Sequence, residues 1–303
     1  MRKKLIHFMR TTVRSTGARL GLYKVPFFMN LNRFVMRMVL PKEFQEIEIN
    51  NTRMIVRMVR ENSLGEIGMG FALDKKWEPQ TTKHFKEIVK SGMNVVDVGA
   101  NIGYYTVLAA SLVGSQGKVW AFEPDVENFE DLVSSVKLND FNNVSAYRNA
   151  VSDMDGKSKI YLARDSGGHS LRLRGDYERS RERDIDLVKL DTIIKGTIDV
   201  MKTDTEGNEI KVLKGARELL KRSKDVKLFV EFETNQWGAE YVDELIAELA
   251  YQGFTYLFWM DDWELYTKRT NGQELRKGSQ TRNYAPNVLC SRKIGRASCR
   301  ERV

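Results

Sequence analysis

The residue types and spacing within 95–106, VVDVGANIGYYT, indicate a glycine-containing turn that is suited to binding a ligand. The apolar residues before the turn predict a strand, and those after it predict a helix. Gly99 allows a sharp turn, and its missing side chain lets a ligand approach the backbone. In sheets built this way, the ligand lies in the crevice outside the carboxyl ends of the strands. Four residues are therefore candidate ligand contacts: Asp97, Gly99, Asn101 and Gly103.

An acid at the end of the next predicted strand supports a nucleotide-like ligand. Glu123 lies twenty residues after Gly103, where a carboxylate can accept hydrogen bonds from two ribose hydroxyls. NAD and S-adenosylmethionine both carry such a ribose. The turn reads GxNxG rather than GxGxxG, and Asn101 would crowd the pyrophosphate of a dinucleotide, which rests on helix amides. The pattern therefore favours S-adenosylmethionine, which has no phosphate groups.

Three acids follow a later predicted strand, in the segment TDTEGNE. Methyl transfer from a sulfonium to a hydroxyl needs positioning and a base that accepts the hydroxyl proton. Asp204 is expected at a strand tip that faces the crevice, so Asp204 and Glu206 are the candidate catalytic residues. Glu206 and Glu209 have an alternative role, because acids at a helix N-terminus complement the helix dipole.

Residues that contact the methyl acceptor are less narrowly specified. Glu231 and Glu233 alternate with apolar residues, so both side chains are expected on the same side of a strand. His169 is the one histidine near the expected site, and it is either a base near neutral pH or a loop residue without a role. With Glu209, these are the candidate substrate residues. No metal is predicted, because nothing in the spacing fixes the carboxylates at ligand distances.

Alternating strands and helices are needed to position these residues. Apolar runs predict core strands at 95–98, 118–122, 144–148, 198–203 and 227–232, an added pair at 159–162 and 185–190, and closing strands within 255–291. Strand–helix alternation implies a parallel sheet with helices on both faces. Closing strands without helices between them imply an antiparallel edge. The expected fold is α/β and Rossmann-like, with a mostly parallel, seven-stranded sheet.

Five segments in chain order resemble the FkbM-type methyltransferase family: VVDVGANIGYYT, AFEP, NAVSD, MKTDTEGNEIKVLKGA and VEFE. The resemblance covers roughly 77–233 and implies the class I methyltransferase fold. It also implies S-adenosylmethionine as the methyl donor and an oxygen acceptor, often a sugar or polyketide hydroxyl. Within it, Val151 and Ser152 match the segment that holds the adenine. The other matched residues are the four of the turn, Glu123 at the ribose, and Asp204, Glu206 and Glu209 in a DxEGxE signature.

The chain is expected to divide into four parts. Residues 1–40 contain nine Lys or Arg and no acid, which predicts a basic amphipathic arm. This arm packs on the domain or on a second subunit, or it lies on an anionic membrane surface. A β-hairpin and a lead-in helix packed on the core follow in 41–90, and the methyltransferase domain occupies 91–293. Residues 294–303, IGRASCRERV, resemble a non-native tail.

The net charge and the cysteine pattern limit which partners and which location are expected. Removing the +9 of residues 1–40 and the +2 of 294–303 from the total of +8 leaves −3 for 41–293. A nucleic-acid groove places its basic residues on the folded domain, so no nucleic-acid partner is expected. The chain also lacks the NPPY or DPPY segment that holds a flipped base. The two cysteines form no CxxC pattern, which favours a reducing, cytoplasmic location.

The expected function is S-adenosylmethionine-dependent O-methylation of a hydroxyl on a sugar, glycan or other small metabolite. Two alternatives stay open. One is a nucleic-acid methyltransferase, which would share the cofactor domain. The other is a non-catalytic, cofactor-binding scaffold associated with a membrane surface.

Overall fold

The computed structural model describes residues 44–57, 59–60, 63–64, 77–162, 168–172, 182–232, 234–262, 264–281 and 286–293. The basic arm at 1–40, Glu233 and the tail at 294–303 lie outside these residues. Their expected roles therefore stay predictions.

Strands and helices alternate through most of the described chain. The strands are β1 (Phe44–Ile49), β2 (Thr52–Arg57), β3 (Val59–Arg60), β4 (Ser63–Leu64), β5 (Asn94–Val98), β6 (Lys118–Phe122), β7 (Val144–Tyr147), β8 (Ala150–Val151), β9 (Gly156–Tyr161), β10 (Glu182–Val188), β11 (Val200–Thr203), β12 (Lys227–Glu231), β13 (Tyr256–Asp261), β14 (Tyr266–Thr270) and β15 (Asn287–Ser291). The helices are α1 (Pro79–Ile88), α2 (Tyr104–Val113), α3 (Val126–Leu138), α4 (Leu190–Ile193), α5 (Glu209–Lys214), α6 (Arg217–Arg222), α7 (Thr234–Tyr251) and α8 (Gly272–Thr281).

The main sheet confirms the predicted Rossmann-like methyltransferase fold. Its strand order is β14-β13-β15-β12-β11-β5-β6-β7. The five strands from β12 to β7 are parallel, while β15 runs antiparallel to both β12 and β13. The sheet has eight strands rather than the expected seven, because β14 adds an antiparallel hairpin at the edge.

The expectation of no helix among the closing strands was wrong, because α8 lies between β14 and β15. Its sequence, GQELRKGSQT, contains a single large apolar residue, Leu275, which is fully buried. One apolar residue in ten cannot produce the periodic pattern by which an amphipathic helix is recognised.

The central strands are buried on both faces of the sheet. In β5, Val95 packs in the apolar cluster that contains α2, and Val96 packs in the cluster that contains α5 and α6. Burial on both faces explains why these strands are continuous apolar runs rather than alternating ones. The uncharged run at 98–117 is likewise a strand end, a turn and the buried helix α2. No helix in the described residues is long and apolar enough to span a membrane.

The predicted hairpin is present as β1 and β2, joined through Asn50 and Asn51. Both asparagines have a positive φ, 52° and 63°, as a two-residue type I′ turn requires. The side-chain amide of Asn50 donates to the hydroxyl of Tyr104, at 2.9 Å. The hairpin turn is therefore attached to the first residue of α2, which directly follows the glycine turn.

The lead-in helix α1 is attached to the main sheet through the residue that follows β13. The backbone N–H groups of Gln80 and Thr81 donate to one carboxylate oxygen of Asp262, at 2.7 and 3.1 Å. This carboxylate satisfies amides that a helix N-terminus leaves without partners. Asp262 follows β13, so α1 is fixed to the sheet from a distant part of the chain.

The predicted added pair forms antiparallel strands β9 and β10, and β8 pairs in parallel with β10. Arg183 in β10 donates to the Asp125 carboxylate at 2.8 Å. Asp125 caps α3 by accepting from the N–H groups of Glu127 and Asn128. The small sheet is therefore anchored at the start of the helix that follows Glu123.

Candidate active site

The backbone amides of the glycine turn all donate to acceptors within the protein. Gly99 and Ala100 both donate to the carbonyl of Phe122, each at 3.0 Å, and Gly103 donates to the carbonyl of Ala100 at 2.9 Å. The N–H of Asn101 donates to the carboxylate of Glu123 at 2.8 Å. These hydrogen bonds fix the conformation of the turn.

The backbone conformation at residue 101 explains why an asparagine lies in the turn. Its φ is 50°, in the left-handed region that asparagine adopts more readily than most residues. Its side-chain oxygen accepts from the N–H of Ile102 at 2.8 Å. With this amide also occupied, no N–H from Gly99 to Gly103 is left to hold a pyrophosphate. The turn fits a ligand without phosphate groups.

Residue 99 must be a glycine, because the end of a second strand, β11, lies against it. A Cβ built on Gly99 would lie 1.8 Å from the backbone carbonyl oxygen of Asp204, well inside any allowed contact. The N–H of Asp204 donates to the carbonyl of Val98 at 3.1 Å. The glycine therefore brings the end of β11 against the turn after β5, and it places Asp204 beside that turn.

Glu123 lies at the end of β6, as the sequence predicts, and is 5% exposed. Its carboxylate accepts from the N–H groups of Asn101 and Asp125, at 2.8 and 2.9 Å. Burial raises the pKa of Glu123 to about 7, although these amide contacts favour the ionised form. The carboxylate is thus held at the strand tip, where it can accept hydrogen bonds from a ribose.

Asp97 has an internal partner. It is 2% exposed and accepts from the hydroxyl of Thr106 at 2.6 Å. Burial raises the pKa of Asp97 above its ordinary value. Because Thr106 belongs to α2, this hydrogen bond ties the helix to the strand that precedes the turn. The geometry supports Asp97 as a residue that shapes the turn.

A buried lysine, which was not selected from the sequence, lies beneath the site. Lys202 is 3% exposed, and its ammonium lies 2.6 Å from the Asp204 carboxylate. Burial lowers its pKa, but the carboxylates of Asp204 and Glu78 outweigh burial and raise the pKa above its ordinary value. A charged residue inside the apolar strand VMKT was the available sequence signal.

Glu78 is a second residue that the sequence gave no reason to select. Its carboxylate accepts from the hydroxyl of Tyr105 at 2.7 Å, and burial raises its pKa to about 7. The ring of Tyr105 lies 4.7 Å from the Lys202 ammonium. Residues before α1 are therefore part of the charge cluster around Asp204.

The loop after β11 has a strained backbone. Glu206 has a φ of 52°, which is uncommon for a residue with a side chain. A Cβ on Gly207 would lie 2.3 Å from the ring of Trp237. The Glu209 carboxylate, 2% exposed, accepts from both the N–H and the hydroxyl of Thr205, each at 2.8 Å. These bonds support a role for Glu209 in holding the loop.

Residues 168–172 contact this loop from the side of the small sheet. The Ser170 hydroxyl donates to the backbone carbonyl of Glu206 at 2.6 Å. The guanidinium of Arg172 lies 4.7 Å from the ring centroid of Trp237 and 5.1 Å from that of Tyr241. His169, half-buried, directly precedes the Ser170 contact.

Glu231 lies beside Asp204 at the carboxyl edge of the sheet. The register pairs Thr203 with Val230, which makes Asp204 and Glu231 neighbours. One carboxylate oxygen of Glu231 is buried without a hydrogen-bond partner among the described residues. Burial, followed by the charges of Asp204 and Glu206, raises the pKa of Glu231 well above its ordinary range. These influences favour the protonated form of Glu231.

The segment matched to the adenine lies next to the same loop. Val151 and Ser152 are each 2% exposed, and the carbonyl of Val151 accepts from the side-chain amide of Asn208 at 2.8 Å. The structure thus brings together the turn, the ribose acid, the adenine segment and the acids after β11. Among the described residues, no group of three or more His, Cys, Asp or Glu side chains is placed to hold a metal ion.

Comparison with known families identifies the family to which the chain belongs. A model of the FkbM methyltransferase domain matches residues 97–256, more than half of the 303-residue chain. The chain belongs to the FkbM methyltransferase family. It is an S-adenosylmethionine-dependent enzyme, and the phosphate-free turn with Glu123 at the strand tip fits that cofactor.

Several solved methyltransferase structures are similar to this FkbM methyltransferase. A putative rRNA methylase from Clostridium thermocellum is 16% identical, with a TM-score of 0.45 over 71% of this chain and 94% of that one. The methyltransferase FkbM from Methylobacillus flagellatus KT is 16% identical, with a TM-score of 0.43 over 77% of this chain and 56% of that one. A SAM-dependent methyltransferase from Aquifex aeolicus is 18% identical, with a TM-score of 0.37 over 70% and 88%. No curated protein matches the chain significantly.

We predict that cofactor affinity rises with pH through the pKa of Glu123. Ribose hydroxyls donate to the ionised carboxylate, so Glu123, with its pKa raised to about 7, must lose its proton on binding below that pH. The Kd for S-adenosylhomocysteine, measured by calorimetry, should fall about tenfold from about pH 6 to about pH 8. Glu123→Gln should bind more weakly and lose this pH dependence. Unchanged affinity in Glu123→Ala would show that the ribose lies elsewhere.

We predict that Lys202→Met destabilises the enzyme by about 3–5 kcal/mol, because it leaves buried carboxylates without their cation. The folded-state pKa values of Asp97 and Glu78, already raised by burial, should rise further. A raised folded-state pKa means that the native state binds more protons, so the variant loses stability as pH rises from about 5 to about 8. Urea unfolding at several pH values tests this. The control Lys118→Met removes an exposed lysine from β6 and should change stability by about 0.5 kcal/mol or less.

Proposed function

We propose that this methyltransferase transfers the methyl group of S-adenosylmethionine to a hydroxyl of a sugar, glycan or other small metabolite, with Asp204 as the general base. The cofactor supplies an electrophilic methyl group on a sulfonium. The protein must hold the acceptor oxygen in line with that methyl group and accept the hydroxyl proton. Each requirement has candidate residues at the carboxyl edge of the sheet.

The placement of Asp204 carries this proposal. It directly follows β11 and lies against the glycine turn, with its carbonyl where a Gly99 side chain would be. Its side chain is 25% exposed, whereas Glu209 and Asp97 are 2% exposed. A base must reach the acceptor, so Asp204 is the best placed of these acids. Lys202 fixes the Asp204 carboxylate through their 2.6 Å ion pair.

Glu231 and Glu206 are proposed to position the acceptor. One oxygen of Glu231 has no partner among the described residues, and its surroundings favour the protonated form. In that form Glu231 can donate a hydrogen bond to the acceptor, while Asp204 accepts the proton of the acceptor hydroxyl. Two neighbouring carboxyl groups with different protonation states can divide acid and base work in this way. Glu206 is held by Ser170 at the same edge, which keeps it and His169 among the candidate acceptor contacts.

The acceptor is proposed to be a small molecule or glycan rather than a nucleic acid. The net charge of residues 41–293 is −3, and several acids surround Asp204, so a polyanion would be repelled from this edge. A cytoplasmic location, and contact between the arm at 1–40 and a membrane surface, are further parts of this proposal.

We predict that Asp204→Asn lowers kcat by about 10²- to 10⁴-fold, the usual contribution of a general base. Single-turnover transfer of a labelled methyl group to a panel of hydroxylated metabolites and glycans measures this change. Affinity for S-adenosylhomocysteine should stay within about threefold of the wild-type value, because Asn keeps the backbone contacts and the approximate shape of Asp204.

Glu231→Gln is the matched comparison for Asp204→Asn. Because the surroundings of Glu231 favour its protonated form, Gln preserves a hydrogen-bond donor there, and kcat should fall by about tenfold or less. Unchanged single-turnover transfer in Asp204→Asn, or a larger loss in Glu231→Gln, would contradict the assignment of Asp204 as the base.

A further inference from the structure

A cavity of about 410 Å³ lies between the hairpin turn, helix α1 and the first turn of α2. This volume lies within the range of small-molecule sites. The lining residues that define its chemistry are Asn50, Trp77, Lys83, Lys86, Glu87 and Tyr104. None of them was selected from the sequence as an acceptor contact.

Two aromatic rings and two lysines dominate this cavity. Half-buried Trp77 supplies apolar ring surface, against which the apolar face of a sugar ring packs. Tyr104, 5% exposed, forms part of the cavity floor. Lys83 and Lys86 are both exposed, and Lys83 forms no ion pair within the part of the chain that the structure describes. Lys86 contacts an uncharged group, the Asn50 side-chain oxygen, at 3.4 Å.

The one acid in the lining does not neutralise the lysines. The Glu87 carboxylate lies 3.2 Å from the imidazole Nδ1 of His84, on its own helix. Burial is the largest influence on His84 and lowers its pKa, which favours the neutral imidazole. The lining therefore carries two positive charges and one negative charge, with the negative charge directed towards His84.

A continuous set of contacts joins the cavity to Asp204. Trp77 directly precedes Glu78, which accepts from the hydroxyl of Tyr105 at 2.7 Å. The Tyr105 ring lies 4.9 Å from that of Tyr104. Beyond Tyr105, the Lys202 ammonium contacts the ring at 4.7 Å and Asp204 at 2.6 Å. Because Tyr104 begins α2 directly after the glycine turn, the cavity lies at the same carboxyl edge of the sheet as Asp204, with Tyr105 and Lys202 between them.

We infer that this cavity binds the acceptor through a sugar ring that carries a carboxylate or a phosphate. The inference rests on the proposed function and specifies its substrate class. Acids at the strand tips repel an anion from the immediate surroundings of Asp204, whereas Lys83 and Lys86 attract it to the cavity. The ring packs on Trp77 and Tyr104, and a neutral hydroxyl of the same acceptor is left to reach Asp204.

Titration of the full chain with four probes tests the charge requirement: glucuronate, glucose 6-phosphate, glucose and inorganic phosphate. Calorimetry or saturation-transfer NMR should show that at least one anionic sugar binds at least about tenfold more tightly than glucose. The anion that binds more tightly identifies the carboxylate or the phosphate as the recognised group. Equal binding of glucose, or inorganic phosphate binding as tightly as the anionic sugars, would overturn the inference.

Variants locate this binding in the cavity. Lys83→Ala combined with Lys86→Ala should remove the preference for anionic sugars, while Lys90→Ala should retain it. Lys90 is an exposed lysine just beyond the end of α1 and lies outside the lining. Trp77→Ala should weaken all three sugars about tenfold, and Trp77→Phe should restore most of the binding. An anion preference that survives the double lysine variant would overturn the inference.

Methyl transfer separates failure of this inference from failure of the proposed function. In the double lysine variant, S-adenosylhomocysteine binding should be unchanged, and KM for an anionic acceptor should rise about tenfold with kcat nearly unchanged. If the enzyme methylates anionic glycosides equally well with or without the two lysines, the inference fails and the proposed function stands. If no hydroxyl is methylated but anionic sugars still bind through the lysines, the proposed function fails and the binding site stands.

Discussion

The closest approach in the site is between two strand ends, where the carbonyl of Asp204 occupies the place of a side chain on Gly99. Any other residue at 99 would separate β5 from β11 at their carboxyl ends. The same approach lets Asp204 donate to the carbonyl of Val98 and places its carboxylate beside Lys202. The position of the proposed base and its contact with Lys202 therefore follow from one backbone contact.

One buried cation balances several buried acids around that contact. Lys202 lies near Asp204 and near the carboxylates of Glu78 and Asp97, which raise its pKa. On the other side of Asp204, burial and neighbouring charges raise the pKa of Glu231 and favour its protonated form. Neighbouring groups in different protonation states are the usual basis for acid and base work at an active site. The loop after Asp204 is held by separate contacts. Within the loop, Glu209 accepts from the N–H of Thr205, and from the side of the small sheet the Ser170 hydroxyl donates to the carbonyl of Glu206.

The sequence predicted the parallel sheet and the positions of Glu123 and Asp204, because apolar runs and strand tips follow from local pattern. It could not predict why Gly99 is needed, since the conflicting atom belongs to a residue about a hundred positions later in the chain. Glu78 was missed for the same reason, because its partners are brought to it by folding. The helix α8 was missed because Leu275 is its only large apolar residue, so periodicity carried no signal there.

A crystal structure with S-adenosylhomocysteine bound is the most direct test of this account. We expect both ribose hydroxyls to lie about 2.6–3.2 Å from the Glu123 carboxylate. The sulfur should face the carboxyl edge of β11, with the Asp204 side chain on the side from which an acceptor approaches. A ribose bound away from Glu123, or a sulfur separated from Asp204 by the strand ends, would contradict the account.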